Sequence, residues 1–269
     1  MTVFYDTHAH LDYPEFAPEI EQVVARAHAA GITRIISIGT DLVSSARALK
    51  LAEEHVGIYA VAGWHPSHVL EAPDDIRPAL RALAQHPKVV ALGETGLDYH
   101  RLPGSQGGTP EDDAIYRRRQ AGLFRQHLEV AAATGLNCVI HQRGDCFTDT
   151  LAQLEPFADC VRGVFHCFAN DAAAMQRVLA LGSLVSFTGI VTFKNGQNVR
   201  DTAAATPLGK FMLETDCPYL APVPYRGQRC EPAYVKVIAE TITQVKGCSL
   251  ESLSTATCRT ARTFFRNLC

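Results

Sequence analysis

Short runs of β-forming apolar residues alternate with helical segments along this chain of 269 residues. Eight such runs begin close to residues 3, 34, 58, 89, 137, 162, 184 and 211. The segments between them, such as EIEQVVARAHAAG, repeat apolar residues every three or four positions and end in glycine, as amphipathic helices do. Strands that alternate with helices form right-handed βαβ units and a parallel sheet. Eight units in a chain of this length predict an α/β fold, a TIM (β/α)8 barrel, and we expect 1–269 to be a single domain.

The composition of the chain restricts the classes of function. The formal net charge is −3, so no strong global field draws the protein to nucleic acid or to an anionic membrane. No GxGxxG follows the first run, which argues against an open dinucleotide-binding sheet. No apolar run approaches the about 18 residues of a membrane span, and the start MTVFYDTHAHLDY lacks the pattern of a signal peptide. We therefore expect a cytoplasmic protein that has no membrane partner and no obligate protein partner.

The nine cysteines show no regular spacing and no CxxC pair. An odd number of irregularly spaced cysteines does not predict a disulfide framework or a zinc knuckle. We expect reduced and mostly buried thiols.

Two stretches rich in glycine or proline interrupt the alternation. Residues 100–116 follow the fourth predicted strand, and residues 218–232 follow the eighth. Loops at the carboxyl ends of barrel strands build the active site of a TIM barrel. Either stretch could be a solvated connector, but for 218–232 we favour an active-site loop.

Imidazoles and carboxylates cluster at the predicted ends of five strands. The set consists of His8 and His10 on the first strand, Glu94 on the fourth, His141 on the fifth, His166 on the sixth and Asp216 on the eighth. His8 and His10 are two residues apart, so both would project to one face of a strand. A single buried histidine is more often a hydrogen-bonded core residue than a ligand. Six such groups at one barrel mouth would leave several polar groups unpaired without a metal, and we therefore predict a metal site.

The number of ligands predicts two divalent cations, with Mg²⁺, Mn²⁺ and Zn²⁺ all chemically acceptable. Glu94 has two carboxylate oxygens and can bridge the two ions. The remaining ligands then divide into two groups, which are His8, His10 and Asp216 for one ion and His141 and His166 for the other. Two cations about 3.5–4 Å apart can activate a water molecule and hold a phosphoryl group. Asp216 is the best-placed carboxylate to accept the proton of that water.

At this point the chain resembles the TatD-type deoxyribonucleases, a branch of the metal-dependent amidohydrolase superfamily. The resemblance runs almost from end to end through the motifs DTHAHLD at 6–12, GWHP at 63–66, LGETGLDY at 92–99, IHQR at 140–143, HCFA at 166–169, LETDCPYL at 213–220 and RGQRCEP at 226–232. It implies the (β/α)8 barrel, divalent metals and hydrolysis of nucleic-acid phosphodiesters, often from the 3′ end. It also implies that the six residues above are the metal ligands, that Glu94 bridges, and that Asp216 can serve as base.

Further residues near the mouth are candidates for substrate contacts. The resemblance implies that His65, in GWHP, contacts the substrate phosphate, and the alternative is a structural turn residue capped by Pro66. Four basic side chains could add phosphate contacts or could be ordinary surface charges, and these are Arg143, Lys194, Arg226 and Arg229. Three aromatic side chains could stack on a terminal base or pack within the loops, and these are Tyr99, Phe168 and Tyr219.

Some positions depart from the pattern of the family. Cys230 stands where the family commonly has asparagine, and the acid that usually follows Arg143 directly is displaced to Asp145. The glycine-rich stretch at 103–108 is longer than in many members. None of these positions is a predicted metal ligand.

These observations predict a metal-dependent hydrolase that acts as a 3′-5′ exonuclease on DNA ends, with RNA as a further candidate substrate. The alternative is an ester or amide hydrolase on the same metal site, such as a deacylase of mischarged tRNA or a lactonase, because fold and metal cage are shared across chemistries. A non-enzymatic, metal-stabilised scaffold is a third hypothesis.

Overall fold

A computed structural model describes residues 2–268 of the chain. Eight parallel strands form one sheet in which each strand pairs with the next along the chain. The strands are β1 Phe4–Ala9, β2 Ile32–Ile38, β3 Ile58–Ala62, β4 Val89–Asp98, β5 Cys138–Arg143, β6 Gly163–Phe165, β7 Leu184–Phe187 and β8 Phe211–Leu213. The fold is a TIM barrel, and the prediction from the alternating pattern is confirmed for all eight strands.

Helices connect the strands and cover the outside of the barrel. Within residues 2–268 the α-helices are α1 Ile20–Ala29, α2 Leu42–Glu54, α3 Arg77–Ala84, α4 Pro110–Thr134, α5 Phe147–Leu154, α6 Ala172–Ala180, α7 Gln197–Ala205, α8 Val235–Lys246 and α9 Leu250–Phe264. No α-helix of the described range is both long and apolar enough to cross a membrane.

The barrel closes between β1 and the segment that follows β8. Ala9 and Cys217 form a parallel bridge. The Asp216 N–H donates to the His8 carbonyl at 2.9 Å, and the His10 N–H donates to the Cys217 carbonyl at 2.9 Å. This backbone closure places the first-strand histidines directly beside Asp216.

The opposite end of the barrel is covered by α9. Phe264 and Phe265 are buried in a cluster with side chains from the barrel interior, among them Val61 and Met212. The Arg266 N–H also donates to the carbonyl of Val90, near the start of β4, at 3.0 Å. Because the amino ends of the strands are closed in this way, the carboxyl ends form the open mouth.

The stretch 100–116 is less irregular than its composition suggested. Helix α4 begins at Pro110, so only the first part of the stretch is a loop. The Thr109 side chain accepts from the Asp112 N–H, and Asp112 accepts in return from the Thr109 N–H, which is a capping box. Threonine followed by proline, with an acid three positions after the threonine, is a sequence signal for the start of a helix. The glycines just before it made the whole stretch resemble a loop.

Most cysteines of the described range are buried. Five of them lie in the interior, and these are Cys138, Cys146, Cys217, Cys230 and Cys258. The cysteines of residues 2–268 form no disulfide with one another in the structure. Cys269 lies outside the described residues.

Candidate active site

The predicted ligands meet at the mouth, although several lie just beyond their strands. His8 is in β1 and His141 in β5, whereas Glu94 lies in the middle of β4. His10 follows β1 directly, His166 follows β6 directly, and Asp216 lies three residues after β8. Asp216 adopts a positive φ of 59°, a conformation that aspartate tolerates better than most residues.

Glu94 lies between two groups of histidines and directs one carboxylate oxygen toward each. Oε2 is 3.4 Å from His8 Nε2 and 3.8 Å from His10 Nε2. Oε1 is 2.8 Å from His141 Nδ1 and 2.7 Å from His166 Nε2. Asp216 completes the first group, because its Oδ1 is 3.3 Å from His10 Nε2 and 3.6 Å from His8 Nε2. These distances place the six predicted ligands around Glu94 in the two groups that the sequence analysis proposed, and their binding to metal stays a prediction.

The donor atoms fit divalent cations. Three overlapping sets have all their ligand atoms within 4.8 Å of one another, and these are His8, His10 and Asp216, then His8, Glu94 and His166, then His65, Glu94 and His141. Two donors that each lie about 2.1 Å from a tetrahedral ion are about 3.4 Å apart, which matches the spacing of His8 Nε2 from the two carboxylates. That nitrogen is buried and has no hydrogen-bond partner among the described residues, a costly arrangement unless an ion binds it.

Two glycines allow β4 to present Glu94 at this point. A Cβ on Gly93 would lie 2.5 Å from the Val139 carbonyl oxygen, and a Cβ on Gly96 would lie 2.1 Å from the His141 carbonyl oxygen. Both glycines also have a positive φ, which L side chains rarely adopt. The glycines that flank Glu94 in LGETG therefore let β4 lie close against β5.

The buried acids remain ionised because histidines surround them. Burial works to raise the pKa of Asp216, but the hydrogen bond to His10 and the electrostatic interaction with His8 and His10 outweigh it and lower the pKa. Burial likewise opposes ionisation of Glu94, yet the electrostatic interaction with the neighbouring His166, His65 and His8 holds its pKa well below the usual value. Ionised carboxylates are the form that binds cations.

The histidines titrate differently from one another. Burial and the neighbouring His166 lower the pKa of His8 to about 4, so this ring is neutral near pH 7. Burial also works to lower the pKa of His141, but bonds to Asp98 and Glu94 outweigh it and raise the pKa to about 9.

His65 lies inside the cluster. Its Nε2 is 3.3 Å from Glu94 Oε1 and 3.2 Å from His141 Nδ1. Its Nδ1 accepts a hydrogen bond from the Ser67 N–H at 3.1 Å, so the proton of the neutral ring is on Nε2. Burial is the main cause that lowers the pKa of His65. The ring is therefore a neutral donor that points into the site.

Three further acids, which the sequence analysis quoted within motifs without giving them a role, support the ligands. Asp98 Oδ2 lies 3.1 Å from His141 Nε2. Glu214 Oε1 accepts from the Cys167 N–H at 2.6 Å and lies 3.8 Å from His166 Nδ1. Asp6, which is fully buried, accepts from the Thr215 N–H at 2.9 Å and from its hydroxyl at 2.6 Å. Their positions in the sequence could have identified them. Asp6 and Glu214 each lie two residues before a predicted ligand, and Asp98 lies four residues after Glu94.

The four basic candidates differ in the contacts that their side chains make within the protein. Arg143 and Lys194 are exposed. The Arg226 guanidinium lies 3.9 Å from the centroid of the Phe193 ring and donates to the Ala221 carbonyl at 2.9 Å. Arg229 pairs with Glu19 at 2.7 Å, so this side chain anchors its loop to the start of α1.

The loop at 218–232 is also fixed by its other residues. Glu231 is buried and forms a bidentate pair with Arg26 of α1, with its shortest distance at 2.7 Å. Cys230 is buried, and its N–H donates to the Pro218 carbonyl at 3.0 Å. The loop is therefore held in place at the position where cysteine replaces the usual asparagine.

The aromatic candidates are distinguished by their surroundings. Phe168 is 3% exposed and belongs to the core. The Arg117 guanidinium lies over the ring of Tyr99 at 4.5 Å from its centroid. Tyr219 is 53% exposed, and its ring centroid lies 6.3 Å from that of His10. Among these three, Tyr219 is the side chain that remains open at the mouth.

The fold and the site together define a class of protein, a TIM barrel with a histidine and carboxylate metal-binding cluster at the carboxyl ends of its strands. The family model described as TatD related DNase matches residues 5–266. The chain therefore belongs to the TatD family of metal-dependent hydrolases.

Individual relatives match almost the whole chain. An uncharacterised metal-dependent hydrolase of Bacillus subtilis strain 168, YabD, is 36% identical over 265 residues, which cover 98% of this chain and 99% of that protein. A protein of Enterobacter lignolyticus strain SCF1 that is named 3′-5′ ssDNA/RNA exonuclease TatD is 35% identical over 267 residues, which cover 97% and 98%. The crystal structure of YJJV, a TatD homolog from Escherichia coli K12, matches with a TM-score of 0.87 at 27% identity over 97% of each chain.

Proposed function

We propose that this protein is a two-metal phosphodiesterase that removes nucleotides from the 3′ ends of DNA, and of RNA as a second substrate. The observation that carries the proposal is the position of Glu94, whose two oxygens face two separate groups of histidines. A bridging carboxylate of this kind suits a pair of cations about 3.5–4 Å apart, the arrangement of many phosphoryl-transfer sites. The name of the Enterobacter relative supports single-stranded DNA and RNA as substrates.

The metal ligands in this proposal are the six residues that the sequence identified. His8, His10 and Asp216 would hold one ion, His141 and His166 the other, and Glu94 would bridge. When bound, the cations supply a water of lowered pKa and positive charge beside the phosphoryl oxygens.

The side chains of the protein supply the proton transfer and the orientation. Asp216 is ionised and accepts the proton of the attacking water, because its lowered pKa keeps the carboxylate free of a proton. His65 donates its Nε2 proton to a phosphoryl oxygen as charge develops there. The exposed Arg143, at the end of β5, and Arg226, on the loop after β8, contact the next phosphates along the strand.

Substrate profiling separates this function from the alternative hydrolase. Purified protein loaded with Mn²⁺ is offered single-stranded DNA, RNA, an aminoacyl ester of tRNA and a simple lactone, with Asp216→Asn as the control variant. We expect shortening of the oligonucleotides and loss of that activity in the control. Hydrolysis of the aminoacyl ester or the lactone, with intact oligonucleotides, would instead assign the site to ester hydrolysis.

The same control tests the scaffold hypothesis. Asp216→Asn keeps the size of the side chain and removes the base. Loss of hydrolysis in a variant that retains its circular dichroism spectrum would exclude a purely structural metal site.

A further inference from the structure

Gln120 of α4 connects two segments that carry site residues. The side chain is fully buried. Its Oε1 accepts from the Asp98 N–H at 2.9 Å, and its Nε2 donates to the carbonyls of Asp98 and Pro66, each at 3.1 Å. One amide group thus joins the end of β4 to the turn that follows β3.

Each of these segments reaches the same part of the metal cluster. Asp98 Oδ2 lies 3.1 Å from His141 Nε2, and this contact would keep the proton on Nε2 when the ring gives up its other proton to bind an ion through Nδ1. In the metal-free ring Nδ1 faces Glu94 Oε1 at 2.8 Å, and it is the nitrogen that would hold the ion. Pro66 directly follows His65, whose Nε2 lies 3.2 Å from His141 Nδ1.

The other part of the cluster is aligned by different means. His8, His10 and Asp216 are brought together by the backbone hydrogen bonds that close the barrel between β1 and the segment after β8. Gln120 makes none of its hydrogen bonds to these segments. A change at Gln120 should therefore act on one side of Glu94 only.

We infer that Gln120 is a positioning residue for the metal held by Glu94 and His141, acting through Asp98 and the His65 turn. The inference rests on the two-metal site of the proposed function. Residues that orient a metal-binding histidine from outside the ligand set typically change metal affinity by about 10- to 100-fold when they are replaced.

The test is a titration of metal-stripped protein with Mn²⁺, followed by electron paramagnetic resonance of the free ion. Gln120→Leu removes all three hydrogen bonds at nearly constant volume. We expect wild type to bind two ions, and Gln120→Leu to bind one with unchanged affinity and the other at least about 10-fold more weakly.

The same helix offers a matched control. Gln126 of α4 is also a side-chain link to backbone, because it accepts from the Ile76 N–H at 2.8 Å and donates to the Asp74 carbonyl at 2.9 Å. Its partners belong to the segment that leads into α3, away from the ligands. Gln126→Leu should bind both ions as wild type does. This variant therefore measures the effect of losing a glutamine side chain that bonds to backbone at a site away from the metal cluster.

Gln120→Glu is a second variant in case the leucine variant does not fold. The glutamate retains an acceptor for the Asp98 N–H but directs an oxygen at two carbonyl oxygens, so we expect the same selective weakening of one ion. Unchanged binding of both ions, or equal weakening of both, in a folded Gln120 variant would overturn the inference while leaving the two-metal site intact. A wild-type protein that binds no Mn²⁺ would overturn the proposed metal site itself, and the inference with it.

Discussion

His127 of α4 should make the protein sensitive to mild acid. The ring is fully buried, its Nε2 accepts from the Trp64 N–H at 2.9 Å, and its Nδ1 donates to the Leu123 carbonyl at 2.8 Å. This pattern requires a neutral ring. Burial is the main cause that lowers the pKa of His127 from 6.5 to about 4. Because Trp64 precedes His65, the same ring also supports the turn that carries His65.

The size of the effect follows from proton linkage. The folded pKa lies below the unfolded pKa, so as the pH falls below 6.5 the unfolded chain takes up a proton that the folded chain does not. The contribution of His127 to stability is complete above that pH and is lost as the pH falls toward about 4. Between pH 7.5 and pH 5 the loss is about 2 kcal/mol.

The assay is urea unfolding of metal-free protein at pH 7.5 and pH 5, for wild type and for His127→Gln. Glutamine offers an acceptor to the Trp64 N–H and does not titrate, so the variant should lose about 2 kcal/mol less than wild type on acidification. The comparison isolates His127 because His8 is present in both proteins. His28→Gln, on the exposed face of α1, controls for the removal of an imidazole in general. Equal losses in wild type and His127→Gln would refute the reasoning.

Three further changes test separate parts of the molecule. Phe124→Ala, at a fully buried position of α4, should lower the free energy of unfolding by about 3–5 kcal/mol in urea titrations, and a loss below 1 kcal/mol would contradict the assigned core. His65→Gln should lower kcat on oligonucleotides by about 10²-fold with both metals still bound, because one donor to the developing charge is weakened; loss of a metal would instead make His65 a ligand. Tyr219→Ala should raise KM for single-stranded DNA by about 10-fold, because one stacking contact with a base is lost. The variant should leave kcat on a small phosphodiester without a base unchanged, and equal effects on both substrates would exclude stacking.

The barrel and the meeting of the central histidines with Glu94 could be predicted because their signals lie within single strands. The eight apolar runs each carry enough β-forming residues to be identified alone, and the order of the strands in the sheet follows their order in the chain. Once the barrel is inferred, the carboxyl ends of the strands must converge. His8, Glu94 and His141 therefore meet without any knowledge of side-chain conformation.

The supporting residues could not be predicted because their partners are distant in sequence. Gln120 bonds to Asp98, 22 residues away, and to Pro66, 54 residues away. A partial signal exists, since Gln120 and His127 occupy positions on the apolar stripe of α4 with Leu123 and Phe124. Polar residues on a buried stripe must find hydrogen-bond partners, but the helix alone does not identify them.

The residues that contact substrate are harder to predict from the sequence than the metal-binding cluster, because they lie on loops. Arg226 and Arg229 are one motif in sequence, yet Arg229 pairs with Glu19, whereas Arg226 stacks on Phe193. Long side chains on loops take partners from whichever element lies nearby. The spacing within a loop does not determine which of its arginines is free to meet a phosphate.

The most direct test of the two-metal nuclease is cleavage of end-labelled single-stranded DNA by metal-free protein, with and without added Mg²⁺ or Mn²⁺. His166→Ala is the control, because it removes one proposed ligand beside Glu94 Oε1. We expect stepwise shortening from the 3′ end that requires the added metal and is lost in the control. Intact DNA at both labelled ends, from protein that has bound two metal ions per chain, would contradict the nuclease function.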